Sequence, residues 1–278
     1  VPELVARLHP DGSQEAADAI ITSDTHTKSF AIEVPCGEGS FRVGGIAKGA
    51  GMINPDMATM LAFITTDAKV SPDELKRATR YAVDKSFNRI TVDGDTSTND
   101  TVIVMSNGMA TAPAIRKGSE HVILFRKALH KVMLHLAKMI VSDGERVTRF
   151  VEIRVLNART IADAKKAAEA VANSLLVKCS FNGGDPNSSG IPTDTEEMID
   201  IYFGGLLACK GGLTSNTPVA EMEKVVAEPK FSVTIDLNVG NAKHTVYTSD
   251  LSKEYVDFNA SEYSAAVHAE RQRGKGLS

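Results

Sequence analysis

The sequence predicts a mixed α+β fold built in layers, and three observations carry that prediction. Strand-like and helix-like segments come in clusters, not in the strict alternation that a doubly wound parallel sheet requires. From His121 to Val141 the apolar residues Val122, Phe125, Leu129, Val132, Met133, Leu136 and Ile140 fall at helical spacing. They form one face, which must be buried against another layer. Short alternating segments are bounded by glycine- and proline-rich turns, the pattern of half-buried strands.

Taken in order, Glu3 to Ala19 reads as a helix. Ser29–Val34 and Ser40–Ile46 read as strands joined by the turn Pro35-Cys36-Gly37-Glu38-Gly39. A glycine-rich stretch from Gly44 to Gly51 follows, then the short apolar strand Leu61–Thr65. Ser71 is placed to cap a helix, Pro72 suits its first position and Glu74 completes a capping box, with the helix running to about Ser86. Ile90–Val92 is strand-like and leads to the polar loop Asp93–Asp100, and Thr101–Ser106 is a further strand. After the long helix, Phe150–Leu156 reads as a strand and Thr160 caps a helix from Ile161 to Asn173. Asn182–Glu196, rich in Gly, Pro, Ser and Asp, reads as a loose connection. Thr217-Pro218 starts another helix. Phe231–Val239 and His244–Thr248 read as a hairpin around Gly240-Asn241. The basic, polar tail from Ala265 to Ser278 reads as disordered.

The bulk properties exclude several classes. With 278 residues the chain holds one large domain or two small ones. A net charge of -4 gives no electrostatic reason for a nucleic-acid or anionic-membrane partner. No apolar run approaches the roughly 18 residues that span a bilayer. The start, Val1-Pro2-Glu3-Leu4-Val5, lacks the basic residues and apolar core of a secretory signal. Cys36, Cys179 and Cys209 are odd in number and far apart, so a zinc site or a disulfide framework is not expected and reduced thiols are.

The familiar site motifs also fail. Gly44–Gly51 has neither the Gly-Lys-Ser/Thr ending of a phosphate loop nor a GxGxxG. Asp93, Asp95 and Asp100 suggest calcium, but Thr98 and Val104 stand where an EF-hand needs glycine and glutamate. His130 and His135 are five apart on a helix and do not share a face, and no serine sits in a GxSxG elbow.

Chemistry points instead to Lys48–Leu61: Lys-Gly-Ala-Gly-Met-Ile-Asn-Pro-Asp-Met-Ala-Thr-Met-Leu. The plainer reading is a glycine turn entering a buried strand, with Met52, Met57 and Met60 filling core. Against it, the small Ala58 directly precedes Thr59 at the head of an apolar strand, and upstream glycines and a proline allow an unusual backbone path. Such a junction suits self-cleavage. The Thr59 hydroxyl attacks the Ala58 carbonyl to form an ester, and water hydrolyses it. A new N-terminal threonine results. Its α-amine, with an ordinary pKa of about 7.7–8.0, then serves as the base that activates its own hydroxyl.

On these residues the segment resembles the autoprocessing segment of the ornithine acetyltransferases, the glutamate N-acetyltransferases of arginine biosynthesis. Further stretches extend the likeness from about Ala16 to Ser264: Ala19–Thr25, Ser86-Phe87-Asn88, Val92–Thr101, Ser142-Asp143-Gly144-Glu145, Ala172-Asn173-Ser174, Asp185-Pro186-Asn187, Asp250-Leu251-Ser252, Tyr255-Val256 and Asn259-Ala260-Ser261. The resemblance implies an αββα-type layered sandwich with mixed sheets and a smaller C-terminal α/β lobe. It implies residues 1–58 as the end of an α chain and 59–264 as a β chain, the latter split into a catalytic lobe over 59–181 and a second lobe over 182–264, with 265–278 a tail. It also implies acetyl transfer from N-acetylornithine to glutamate through an acetyl ester on Thr59, with acetyl-CoA a donor in some members. It implies no cofactor and no metal. An α2β2 heterotetramer of self-cleaved chains in the cytoplasm, or the mitochondrial matrix of a eukaryote, is the implied assembly.

Carried over by position, Thr59 is the nucleophile, Ala58 supplies the cleaved carbonyl, and Thr22, Lys48, Glu145, Asn259 and Ser264 match substrate-binding positions. The residue types suit those tasks. Lys48 offers a point charge to a substrate carboxylate and, near the Thr59 amine, lowers that amine's pKa. Glu145 pairs with an amino group, and Thr22, Asn259 and Ser264 supply oriented hydrogen bonds.

The chain departs from the family pattern in places. The family's upstream Ser-Thr-Gly segment, whose threonine and glycine form the oxyanion hole, has no counterpart in this sequence. Losing one such donor costs about 100–1,000-fold in rate. Asp185-Pro186-Asn187 continues as Ser188-Ser189-Gly190 in place of Trp-Gly-Arg, and Arg146, Val147 and Arg149 replace small residues and a lysine. The tail beyond Ser264 is additional. Two alternatives therefore stand beside the transferase: an autoprocessing amidohydrolase or aminopeptidase with the same nucleophile, and a non-catalytic relative acting as a binding subunit.

Overall fold

The computed structural model describes residues 1–54, 60–186 and 198–260. Its helices and mixed sheets are those of the expected α+β class, and the chain divides into two compact units, Val1–Gly144 and Glu145–Ser278.

The first unit begins with two short helices, α1 (Pro2–Ala6) and α2 (Ser13–Ile20), where one continuous helix is expected from the sequence. Pro10 explains the break, since it has no N–H to donate and disfavours helical backbone in the residue before it. A four-stranded sheet follows in the order β1 (Lys28–Cys36), β2 (Gly39–Lys48), β3 (Leu61–Thr66), β4 (Thr101–Ser106). The first two pairings are antiparallel and β3–β4 is parallel. The β1–β2 turn closes tightly because Gly37 adopts φ +62°, a conformation open to glycine.

Helix α3 (Pro72–Asp84) packs on the long helix α4 (His121–Ser142), which lies on β1 and β2. The apolar face of α4 is where the periodicity put it: Phe125, Leu129, Val132, Met133, Leu136 and Ile140 are buried and Val122 half-buried. Gly45 in β2 allows this approach. A Cβ there would stand 2.4 Å from Ile64 Cδ1 and 3.2 Å from Leu136 Cδ1.

Two local expectations need correction. Ser71 is the N-cap of α3 but makes no side-chain cap bond, and the Glu74 carboxylate is buried and taken by Arg77 (2.6 Å) and Arg126 (3.3 Å) instead of closing a capping box. Charge-assisted pairs outcompete a neutral amide for a carboxylate. Ile90–Val92 is not a strand. It leaves a 3-10 turn over Phe87–Arg89, and both Thr91 Oγ1 (3.1 Å) and Val92 N (2.8 Å) donate to the Ile53 carbonyl.

The second unit is a six-stranded sheet of β5 (Phe150–Ala158), β6 (Asp200–Phe203), β7 (Leu206–Lys210), β8 (Leu213–Thr214), β9 (Lys230–Asp236) and β10 (Ala242–Ser249), in the order β10-β5-β9-β6-β7-β8. Helices α5 (Ile161–Ala172), α6 (Leu175–Gly183) and α7 (Val219–Ala227) accompany it. Residues 181–182, where the family likeness implies a lobe boundary, lie inside α6. Thr160 caps α5 as expected, its Oγ1 accepting from Asp163 N at 3.1 Å. The core joins Val151, Ile153 and Val155 of β5 to Ala164, Ala168 and Val171 of α5.

The expected hairpin is not formed. β9 and β10 are both present, but β5 lies between them, parallel to β9 and antiparallel to β10. The connection crosses the end of β5: Leu237 N donates to Leu156 O (3.1 Å), Val239 N to Asn157 O (2.9 Å), and Asn157 Nδ2 to both Asp236 oxygens. A central strand buried on both edges gains two ladders, where a free hairpin gains one. Among the described residues, no helix is long and apolar enough to cross a membrane.

Candidate active site

In the first unit the site residues stand where β2 ends and β3 begins. Lys48 is the last residue of β2 and pairs with Leu61, the first of β3. Residues 49–60 therefore leave and re-enter the sheet at adjacent points. Ala58 and Thr59 lie in the span 55–59, outside the described residues, but both shoulders of that span are described. Gly49 at φ +147° and Met52 at φ +57° give the upstream shoulder the unusual backbone that its glycines predict; for Met52 this conformation costs on the order of 1 kcal/mol.

The polar loop before β4 grips both shoulders. Asp93 takes the upstream one, its Oδ2 accepting from Met52 N (2.6 Å) and its Oδ1 from Ile53 N (2.9 Å). Asp100 takes the downstream one, its Oδ1 accepting from Met60 N (2.8 Å), and Thr101 N donates to Met60 O. The second oxygen of Asp100 is buried and has no hydrogen-bond partner among the described residues. Burial raises the Asp100 pKa above the ordinary carboxylate value, and the Met60 amide and the Lys48 charge offset part of that rise.

A buried ionic cluster sets the upstream frame. Lys28 is fully buried in β1, with its Nζ 2.5 Å from Asp24 Oδ1 and 2.5 Å from Asp143 Oδ2. Asp24 also accepts from Gly49 N (2.7 Å) and Thr22 N (3.2 Å), which ties the Thr22 segment to the residue after Lys48. Asp143, past the end of α4, accepts from the Thr25 amide and hydroxyl and meets His26 Nδ1 at 3.1 Å. Desolvation pushes the Asp24 pKa up, but hydrogen bonds from Lys28, Gly49 and Thr22, with the Lys28 charge, hold it below the ordinary value. Thr22 is exposed and Lys48 half-buried.

In the second unit Glu145 and Asn259 meet directly. Asn259 Nδ2 donates to Glu145 Oε2 (3.2 Å) and to Tyr255 O (3.1 Å) from a helical segment over residues 253–260. Ser252 anchors that segment, its Oγ accepting from Tyr255 N and donating to Arg146 O at 2.7 Å. Arg146 takes φ +56°, and its guanidinium lies over the Phe258 ring at 4.8 Å. With Glu254, Asp257 and Phe258 it lines a cavity of about 310 Å³. Asp250 holds the chain after Glu145, accepting from Thr148 N and Arg149 N, both at 2.9 Å, and from Asn182 Nδ2 at 2.7 Å.

Four of the expected substrate residues thus fall in two local groups, Thr22 with Lys48 and Glu145 with Asn259. Ser264 lies outside the described residues. Sequence reasoning assigned no role to Asp24, Asp143 or Asp100, although each falls in a stretch that carries the family likeness. Lys28 had no signal of its own, since a lysine in a polar stretch reads as solvated.

The ArgJ family model matches residues 1–265. The arginine biosynthesis bifunctional protein ArgJ of Geobacter sulfurreducens is 47% identical over 269 residues, covering 94% of this chain and 68% of that protein. The glutamate N-acetyltransferase of Methanocaldococcus jannaschii is 41% identical over 272 residues, covering 91% of this chain and 66% of its own. The crystal structure of the arginine biosynthesis bifunctional protein from Bacillus halodurans matches with a TM-score of 0.66 and 32% identity, over 71% of this chain and 96% of that one. The chain spans about two thirds of the length of these curated relatives.

Proposed function

Because this chain belongs to the ArgJ family, we propose that it moves an acetyl group from N-acetylornithine to glutamate through an ester on Thr59, after self-cleavage between Ala58 and Thr59. The observation that carries the reading is the strand-to-strand gap at residues 49–60, with Lys48 at its entry and aspartates holding both shoulders.

The chemistry runs in two halves. The Thr59 α-amine accepts the hydroxyl proton as the oxygen adds to the acetyl carbon, and ornithine leaves with a proton. Glutamate then enters with its amino group neutral, the nitrogen adds to the acetyl carbon as the Thr59 α-amine takes its proton, and the acetyl C–Oγ bond breaks as that proton returns to the Thr59 oxygen. Lys48 pairs with the α-carboxylate. Glu145, oriented by Asn259, pairs with an amino group, and Thr22 and Ser264 add hydrogen bonds. The cleaved chains assemble as an α2β2 heterotetramer in the cytoplasm.

Incubation with N-acetylornithine and glutamate tests the proposal. Acetylglutamate is the expected product, and acetyl-CoA is the second donor to try. Free acetate alone would favour the amidohydrolase. An intact single chain with no acetyl adduct would favour a non-catalytic binding subunit. Intact mass under denaturing conditions reads the processing directly, with two fragments expected to split between residues 58 and 59.

Lys48→Ala separates substrate anchoring from self-cleavage. Losing a charge-assisted contact of about 1.5–3 kcal/mol lowers kcat/KM for transfer by roughly 10- to 100-fold, mainly through KM. Self-cleavage, which needs no substrate carboxylate, falls less. Equal losses would assign Lys48 to backbone geometry.

A further inference from the structure

Thr22 lies in the loop between α2 and β1, and Lys48 ends β2, so no strand ladder joins the two. One carboxylate does. Asp24 Oδ2 accepts from Thr22 N at 3.2 Å, and Asp24 Oδ1 accepts from Gly49 N at 2.7 Å. We infer that Asp24 is a positioning residue for the substrates: it sets the spacing between Lys48, which meets their α-carboxylate, and Thr22, which adds a hydrogen bond. Its side chain has no exposed surface, so it acts through those two residues and not by contact. The inference rests on the transfer reading above and adds the residue that arranges two of its binding groups.

Each arm of this clamp fixes what nothing else nearby fixes. The Gly49 N–H belongs to the planar Lys48–Gly49 peptide group, so holding it fixes the rotation about the Lys48 Cα–C bond. Lys48 is thus held from both sides, by its pairing with Leu61 and by Asp24. The chain turns away directly afterwards, at φ +147° in Gly49, a backbone that residues with a side chain avoid. Thr22 is exposed, so packing does not place it, and its amide is the point at which Asp24 holds it.

Only an ionised carboxylate suits the position. Three donors converge on its two oxygens, the third being Lys28 Nζ at 2.5 Å. An amide side chain would turn its own N–H groups toward one of them. Lys28 supplies the charge that lets the carboxylate stay ionised out of water. Asp143 balances the same lysine while holding Thr25 and His26, so neutralising Lys28 does not in itself call for a bond to Gly49.

Steady-state transfer by wild type and Asp24→Asn, with N-acetylornithine and glutamate varied in turn, tests the role. Both substrates meet the same two groups, so KM should rise about 10-fold or more for each, while kcat falls less than about threefold. Wild-type KM for both substrates, or a loss confined to kcat, overturns the role. A chain carrying Thr22→Ala with Lys48→Ala gives a second readout that a merely structural role would not move. In that background Asp24→Asn should raise KM by less than about twofold further, because the groups it acts through are gone. The full effect there would make Asp24 a general stabiliser and overturn the inference. Asp24→Glu keeps the charge beside Lys28 and displaces the carboxylate by one methylene, so it reads the role if the asparagine variant does not fold at the assay temperature. It should raise both KM values at least about threefold; unmoved values count against Asp24. A wild type that makes no acetylglutamate sinks the transfer reading and the Asp24 role with it, whereas an active wild type with unmoved Asp24 variants sinks the Asp24 role alone.

Discussion

Replacing Thr59 with alanine leaves a single chain of full mass and takes acetyl transfer to background. One hydroxyl serves both reactions, so both must go together. Removal of a covalent nucleophile from a site that works as a unit costs on the order of 10⁴-fold or more. Intact mass reports cleavage, and release of labelled acetyl groups from N-acetylornithine to glutamate reports transfer. Thr59→Ser retains the hydroxyl and should retain both activities in reduced measure. Normal processing of the alanine variant, or a labelled acetyl group on another side chain, would remove Thr59 from the mechanism.

Lys28→Met produces the largest expected loss of stability. The substitution keeps the length of the side chain but leaves the Asp24 and Asp143 carboxylates buried without the cation that stands 2.5 Å from each. Breaking a buried ion pair in this way costs about 3–5 kcal/mol, because an uncompensated charge remains out of water. For a chain of this size that is roughly a 10 °C fall in melting temperature. The sign with pH is fixed by Asp24, whose pKa is held below its ordinary value in the fold despite the opposing desolvation. Its contribution is therefore fully present above the unfolded carboxylate pKa of about 3.9, and it is lost as pH falls through the folded value. In the variant Asp24 loses the Lys28 hydrogen bond and charge that lower its pKa, so the gap between variant and wild type should narrow on acidification. Denaturant melts at several pH values measure this. An equal melting midpoint near neutrality would mean that the cluster is not desolvated. Because Asp24 also holds the Thr22 and Gly49 amides, the variant's transfer activity should fall with its stability.

Periodicity and turn chemistry are local, and they were legible. The apolar stripe of α4, the β1–β2 turn at Gly37 and the Thr160 cap each depend on residues a few positions apart, and the structure has them all. The candidate site segment was singled out for a similar reason. Ala58-Thr59 and the glycines before it are contiguous, and the resemblance to a family attached roles to Lys48, Glu145 and Asn259 by position alone.

What needed the tertiary structure is what depends on competition between distant partners. β9 and β10 look like a hairpin until β5, some eighty residues upstream of them, is seen to fill the space between and take both ladders. Glu74 looks like half of a capping box until Arg126 arrives from α4. Lys28 looks like a solvated lysine until folding encloses it between an aspartate four residues before it and another at the end of α4. The sequence by itself marked many of the secondary elements, carried the family resemblance and singled out Thr59 as the candidate nucleophile. Only the fold decided which carboxylates are buried, paired or left with a spare oxygen, because desolvation and ion pairing are properties of a site's whole surroundings and not of its neighbours in the chain.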